Sequence, residues 1–314
     1  MLTVMITGGT GLLGKALSNY LSNHGYHVII LSRQVNTVFI KQPSEPTKGT
    51  LQYARWDIKN KEIDLQAFRE TDYIIHLAGA GVMDKKWTKA YKQEIVNSRV
   101  ESSKLLLNTL ITVPNHVKAF IGASAIGFYG EDKQPPRAFV EEDPPASGFL
   151  AETCSRWEES TQSVTQLNIR RVILRIGIVL SKEGGALRSF MKPMRFRVAP
   201  ILGNGKQMVS WIHIADLCRM ILFAIENEQV QGYYNAVAPE PINNLTLNKA
   251  LASKMKGSFY FPFHVPSFLL KWLLGEKSIE VLKSTTVSSE KIQKEGFRFD
   301  YPTIDIALNE LIKK

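Results

Sequence analysis

The strand-like run Thr3 to Thr7 leads straight into Gly8-Gly9-Thr10-Gly11-Leu12-Leu13-Gly14, and then into the helical spacing of Leu13, Leu17, Tyr20 and Leu21. Glycines at GxxGxxG spacing permit a tight turn. They also let backbone N–H groups approach a pyrophosphate at a helix N-terminus, where the dipole favours negative charge. A glycine cluster alone arises in ordinary turns. Here a strand precedes it, a helix follows, and Gly25 introduces a second apolar run at His27 to Leu31, which is the order of a dinucleotide-binding βαβ unit.

Further apolar runs at Tyr73 to Leu77, Ala119 to Ala123 and Arg171 to Ile176 alternate with amphipathic stretches at Leu12 to Asn23, Lys89 to Leu110 and Leu150 to Gln166. Each stretch is long enough for a crossover helix. The expected fold class is α/β, a doubly wound parallel Rossmann sheet with a small, mostly helical C-terminal domain on the substrate side. Residues 1–232 are assigned to the Rossmann domain, with substrate-side insertions around 130–148 and 180–210, and residues 233–314 to the small domain. Pro135, Pro136, Pro144 and Pro145 make the first insertion an irregular surface loop placed where a lid could form. Pro239, Pro241, Pro262 and Pro266 break the βα rhythm in the C-terminal part.

A hydrophobic content of 44% with 22% charged residues is that of a globular chain with a substantial core. Cys154 and Cys218 lie far apart and form no CxxC spacing, so neither a disulfide framework nor a metal site is expected. The N-terminus shows no basic segment with an apolar run behind it, and no apolar stretch is long enough to span a bilayer. A cytoplasmic protein without membrane contact is the expectation. Lys and Arg number 39 against 29 Asp and Glu. The lysines, such as Lys85, Lys86, Lys89 and Lys92, are scattered, and no aromatic-interleaved basic tract marks a nucleic-acid module. A solvated basic surface fits this distribution, as does a phosphate-bearing small molecule.

The end of the second strand selects the dinucleotide. NAD enzymes place an acid there for the ribose 2′-hydroxyl, whereas NADP enzymes place a basic group for the 2′-phosphate. Ile29-Ile30-Leu31-Ser32-Arg33-Gln34 offers no acid, and none occurs before Glu45. Arg33 can meet the phosphate bidentately with the Ser32 hydroxyl beside it, or be an ordinary exposed arginine. NADP(H) is the expected cofactor, with NAD(H) as the alternative.

The chain resembles the extended short-chain dehydrogenases/reductases, and within them the branch related to NAD-dependent epimerases and dehydratases that is known as epimerase family proteins. The likeness covers nearly the whole length. It rests on TGGTGLLG (7–14), HLAGAGVMDKKWTKAYKQEIVNSRV (76–100), SAIGFYG (124–130), GFLAETCSRWE (148–158), LRIGIVLSKEGGAL (174–187), GNGKQMVSWIHIADL (203–217) and EGFRFDYPTIDIAL (295–308). The last of these resembles the short domain that ends proteins of this branch.

The resemblance implies that Thr7, Gly8, Gly11, Leu12 and Leu13 hold the pyrophosphate and that Leu77, Ala78, Gly79 and Ala80 lie beside it. It implies that Asp57 bonds the adenine amine, that Arg175 and Gly177 pass near the nicotinamide, and that Ser124 corresponds, within one position, to the hydroxyl that orients the substrate. Relatives often pair through the two helices of 89–110 and 150–166, so a homodimer is an expectation too.

One departure matters most. Relatives carry TyrxxxLys on a helix, where a spacing of four puts both side chains on one face and the lysine lowers the tyrosine pKa. Phe149 and Thr153 stand at those positions. The literal YxxxK at Tyr129 to Lys133 reads as a coincidence in a loop. Tyr129 as a substitute acid and Glu152 as a base raised by burial beside Phe149 and Leu150 remain candidates, with a first-turn helix role as the plain alternative for Glu152. Trp87 with Lys86 would either face the substrate cleft or pack under its loop. Trp211 and His213 share one strand face near the cleft, His213 also fitting a structural role. His76 and Cys154 read as core residues. The sequence thus supports an NADP(H)-binding oxidoreductase or nucleotide-sugar epimerase-like enzyme acting on a small hydroxyl or carbonyl substrate, with an anionic compound or a nucleotide sugar as the classes expected. The alternative is a dinucleotide-sensing regulatory or scaffold protein that has lost catalysis.

Overall fold

A computed structural model describes residues 1–33, 40–41, 49–134 and 136–313; Gln34, Glu45 and Pro135 lie outside them. Seven parallel strands form the body of the main sheet: β1 (Thr3–Thr7), β2 (His27–Ser32), β3 (Leu51–Asp57), β4 (Tyr73–His76), β5 (Ala119–Ala125), β6 (Arg170–Ile176) and β7 (Gly232–Ala236). Their spatial order is β7-β6-β5-β4-β1-β2-β3, with Ile40–Lys41 antiparallel at the β3 edge. The order reverses between β1 and β4, and in sheets of this kind such a reversal marks the crevice for a ligand outside the carboxyl ends of the strands.

Strand alternation assigns the two faces. Val4, Ile6, Val28, Ile30, Ile121 and Val172 pack under α1 (Leu12–Asn23) and a later helix, Ile214–Glu226, through Leu17, Leu21, Leu217 and Ile221. Met5, Ile29, Leu31, Ile74 and Phe120 face the other way, toward Leu105, Leu106 and Leu110 of α2 (Lys89–Thr112). Strands buried on both faces read in sequence as unbroken apolar runs, which is why these were recognisable. The helix expected at 150–166 is α3 (Phe149–Glu159) followed by a separate 3₁₀ segment, Gln162–Leu167.

β7 pairs with β6 in full register from Gly232↔Val172 to Ala236↔Ile176 and so completes the main sheet. A second core then joins the 180–211 insertion to the tail: Leu187 and Met194 of α4 (Gly185–Met194), Val209 and Trp211 meet Leu247 and Leu251 of α6 (Asn244–Lys256) and Leu308 of the last helix, Ile304–Leu311. Here α5 is the Ile214–Glu226 helix. The tail holds parts of the 130–148 loop: Phe139 bridges to Val287, Asp132 accepts from Thr286 N–H, and Thr285 donates to the Gly130 carbonyl.

Candidate functional site

At the crevice the glycines are dictated by contact. Gly8 has φ +70°, and a Cβ there would lie 2.9 Å from the Leu77 carbonyl carbon, so the turn and the end of β4 touch backbone to backbone. A Cβ on Gly14 would lie 2.3 Å from the Gly8 oxygen, so only glycine lets α1 start this close to β1. Gly11 caps α1 without a side-chain acceptor, which leaves the first-turn N–H groups to be satisfied from outside the chain. Leu12 and Leu13 open the helix half-buried, and Gly11 is exposed. Thr7 is spent internally: its Oγ1 accepts from Leu77 and Ala78 N–H and shares a proton with His76 Nδ1 at 2.7 Å.

The 77–81 segment is held by α2. Ser98 Oγ accepts from Ala80 N–H, the Arg99 guanidinium donates to the Ala80 carbonyl, and Gly79 leaves room for that guanidinium. Ser32 is half-buried at the end of β2, and Arg33 is exposed just beyond it. Asp57 ends β3, where its carboxylate accepts from Lys59 and Asn60 N–H; these bonds, Asn60's foremost, hold its pKa below the usual carboxylate range.

Beside the crevice lies a cavity of about 380 Å³. Its walls come from the carboxyl ends of β5 and β6 (Ala125, Ile126, Ile176, Gly177, Ile178), from α3 (Leu150, Cys154, Trp157), from α4 (Ala186, Phe190) and from the tail. Leu12 at the head of α1 sits against Gly184 and Gly185, the residues that lead into Ala186. Turn and cavity are therefore neighbours. Aliphatic and aromatic side chains dominate the lining. Thr153 lines it too, and the remaining polar side chains are Arg99, Gln207, Ser210, Asn244, Thr285 and the ion-paired Glu280 and Lys283. The expectations singled out none of these, since they come from distant segments that no period links; only Arg99, a cation on a buried helix flank, gave a local signal.

Strand alternation divides the expected catalytic residues. Ala125 faces the cavity, whereas Ser124 points the other way and donates to Glu158 Oε1 at 2.6 Å. Glu158 is paired at 2.9 Å with Arg175, which also donates to Tyr129 Oη and to the Glu141 carbonyl. Tyr129 in turn donates to Asn235 Oδ1, and Asn235 N–H donates to Glu141. All six side chains are buried. Burial pushes the Tyr129 phenol up to about 12, while the Glu158 ion pair and Tyr129 hold Arg175 above its ordinary value against desolvation. This is a closed polar network under the sheet, in which Tyr129 and Arg175 are both buried.

Thr153 is buried in the cavity wall and donates to the Phe149 carbonyl, while the other candidates scatter. Glu152 lacks the burial expected of it: it is exposed in a separate groove with Trp87, Lys92, Phe149 and Arg156. Trp87 packs edge-on against Phe149 and donates to the Val82 carbonyl, so it lies under its loop, while Lys86 is exposed. Trp211 and His213 are buried away from the cavity. Trp211 donates to the Glu240 carbonyl; His213 stacks on Tyr301 and bonds Glu310 at 3.0 Å. Desolvation lowers the His213 pKa, and its Nδ1 accepts from Ala215 N–H, which places the proton on Nε2 facing Glu310. Cys154 lines the cavity as a thiol pushed up to about 11 by burial, the wrong direction for a nucleophile. Among the described residues no cluster of His, Cys, Asp or Glu could hold a metal.

A reversed strand order with a glycine turn at the switch point defines a Rossmann-type protein. More particularly, the chain belongs to the NAD dependent epimerase/dehydratase family, whose profile matches residues 4–236; a domain of unknown function matches residues 265–311. It is 36% identical over 312 residues to an epimerase family protein of Staphylococcus aureus and 32% identical to the epimerase family protein YfhF of Bacillus subtilis, covering 99% of itself in both and 99% and 98% of the relatives. Among solved structures it is similar to the human epimerase family protein SDR39U1 crystallised with NADPH, at 25% identity and TM-score 0.84 over 99% of both chains. It is also similar to a nucleoside-diphosphate sugar epimerase of Corynebacterium glutamicum, at 29% identity and TM-score 0.75 over 99% of this chain and 58% of that one.

Proposed function

We propose that the chain binds a nicotinamide dinucleotide across the crevice, with its pyrophosphate on the N-terminus of α1 and its nicotinamide toward the cavity, and acts on a small hydroxyl or carbonyl compound there. The observation that carries this reading is the glycine turn, pinned against Leu77 and adjoining the cavity through Leu12 and Gly184-Gly185. NADP(H) is preferred, because Arg33 is exposed after β2 and no acid occurs at that strand end. The human relative crystallised with NADPH and the sugar epimerase relative support the same cofactor class and a nucleotide-sugar type of substrate. Fluorescence titration is expected to show saturable binding tighter for NADPH than for NADH, with Arg33→Ala weakening NADPH about tenfold or more and leaving NADH unchanged. A response to NADH alone would overturn the preference.

A second reading, a sensor without turnover, is favoured by one observation: among the described residues no tyrosine lines the cavity, Ala125 brings no hydroxyl and Thr153 spends its own on the Phe149 carbonyl, while Ser124 and Tyr129 are committed to the buried network. Transfer of deuterium from labelled NADPH to any of a panel of carbonyl compounds or nucleotide sugars would exclude it.

A further inference from the structure

The outer side of the C-terminal part carries an aromatic surface that nothing in the fold covers. Phe196, Phe259, Phe261, Phe263, Phe268 and Trp272 expose between 47% and 82% of their area. Four of them flank or belong to the two-stranded parallel sheet Val198–Leu202/Phe261–Val265, and the other two lie four residues apart, on one face of the helix Ser267–Leu274 that follows. Aromatic patches of this size, so open, mark contact sites.

Charge distinguishes what could cover it. Neither Arg188 to Arg197 nor Lys254 to Leu274 contains a single Asp or Glu, while together they hold Arg188, Lys192, Arg195, Arg197, Lys254, Lys256 and Lys271. None of these cations is ion-paired among the described residues; the Arg197 guanidinium lies over Phe259 and bonds its carbonyl. A second copy of the chain would bring like charge against like charge. Addition of a strand to the free edge is blunted as well. Phe261 N–H and the Val265 carbonyl are bonded inward, to Arg197 and Gly203, so Pro262 faces the free edge, where it has no N–H to offer.

We propose that this surface docks on a bilayer containing anionic phospholipid, the phenyl and indole rings entering the headgroup boundary and the cations meeting lipid phosphates. The contact is peripheral, since no helix among the described residues is long and apolar enough to cross a membrane. It modifies the expectation of no membrane contact drawn from the lack of a spanning segment.

Sedimentation of the full chain with phosphatidylcholine vesicles, with and without phosphatidylglycerol, tests it. Binding is expected to the anionic vesicles only, and to fall about tenfold or more when ionic strength rises from about 0.05 to about 0.5 M. Brominated lipid is expected to quench Trp272, the one strongly exposed tryptophan, and Trp272→Phe to remove that quenching while sedimentation persists. The combined variant Phe261→Ser, Phe263→Ser, Trp272→Ser should bind at least about tenfold more weakly with an unchanged thermal melt. Absence of binding to anionic vesicles overturns the proposal. So does light scattering that shows a dimer which the triple variant converts to monomer without vesicle binding, because the occupant is then a second copy.

Discussion

His76 carries the clearest pH signature in the chain. Its Nδ1 and Nε2 are occupied by Thr7 and Ser103 hydroxyls, and full burial lowers its pKa from 6.5 to about 3. The unfolded chain takes up a proton as pH falls below 6.5, whereas the folded one does not until about pH 3. Stability contributed by the neutral ring is complete above 6.5 and is lost through that window at up to about 1.4 kcal/mol per pH unit. Urea midpoints measured from pH 7 to pH 4.5 should fall more steeply for the native chain than for His76→Gln. Ser124 offers a different test, since its hydroxyl bonds a buried, charged acceptor on the far side of the strand from the cavity. Ser124→Ala should cost about 1.5–3 kcal/mol in urea unfolding and leave dinucleotide affinity unchanged. An unaltered stability with lost turnover would restore it to a catalytic role.

At the level of elements, the strand–turn–helix unit is the most specified. Gly8→Ala forces a Cβ onto the Leu77 carbonyl at a left-handed φ, which should cost about 1–2 kcal/mol and weaken NADPH binding at least about tenfold, as calorimetry would read directly. This unit was also the most legible in sequence, because every constraint on it lies within residues 3–31. Helix α1 occupies Leu12–Asn23 as its spacing predicts, and β1 occupies Thr3–Thr7. Legibility falls where side-chain direction decides. Period two in β5 sets Phe120, Gly122 and Ser124 on one face and Ala125 on the other, so the cavity-facing residue could have been read from alternation; the family motif drew attention to the serine instead. The tail's contribution was not legible at all. Gln207, Asn244 and the Glu280–Lys283 pair come from three separate segments that share no period.

Over the whole molecule, one buried carboxylate clips the tail to the sheet domain. Asp216 accepts from Asp300 and Tyr301 N–H at 2.9 Å and pairs with Arg219, which also reaches Asp300. Asp216→Ala should cost about 3 kcal/mol and speed proteolysis beyond Phe297, while the dinucleotide crevice, built before residue 185, keeps its affinity. The same dependence of early residues on late ones has a consequence for synthesis. Tyr129 and Glu141 both rely on Asn235, and Arg175 on Tyr129. A nascent chain still waiting for its 235th residue to clear the ribosome therefore holds a phenol and a carboxyl group without their final partner, so the network under the sheet cannot close before the strand that completes the sheet has emerged.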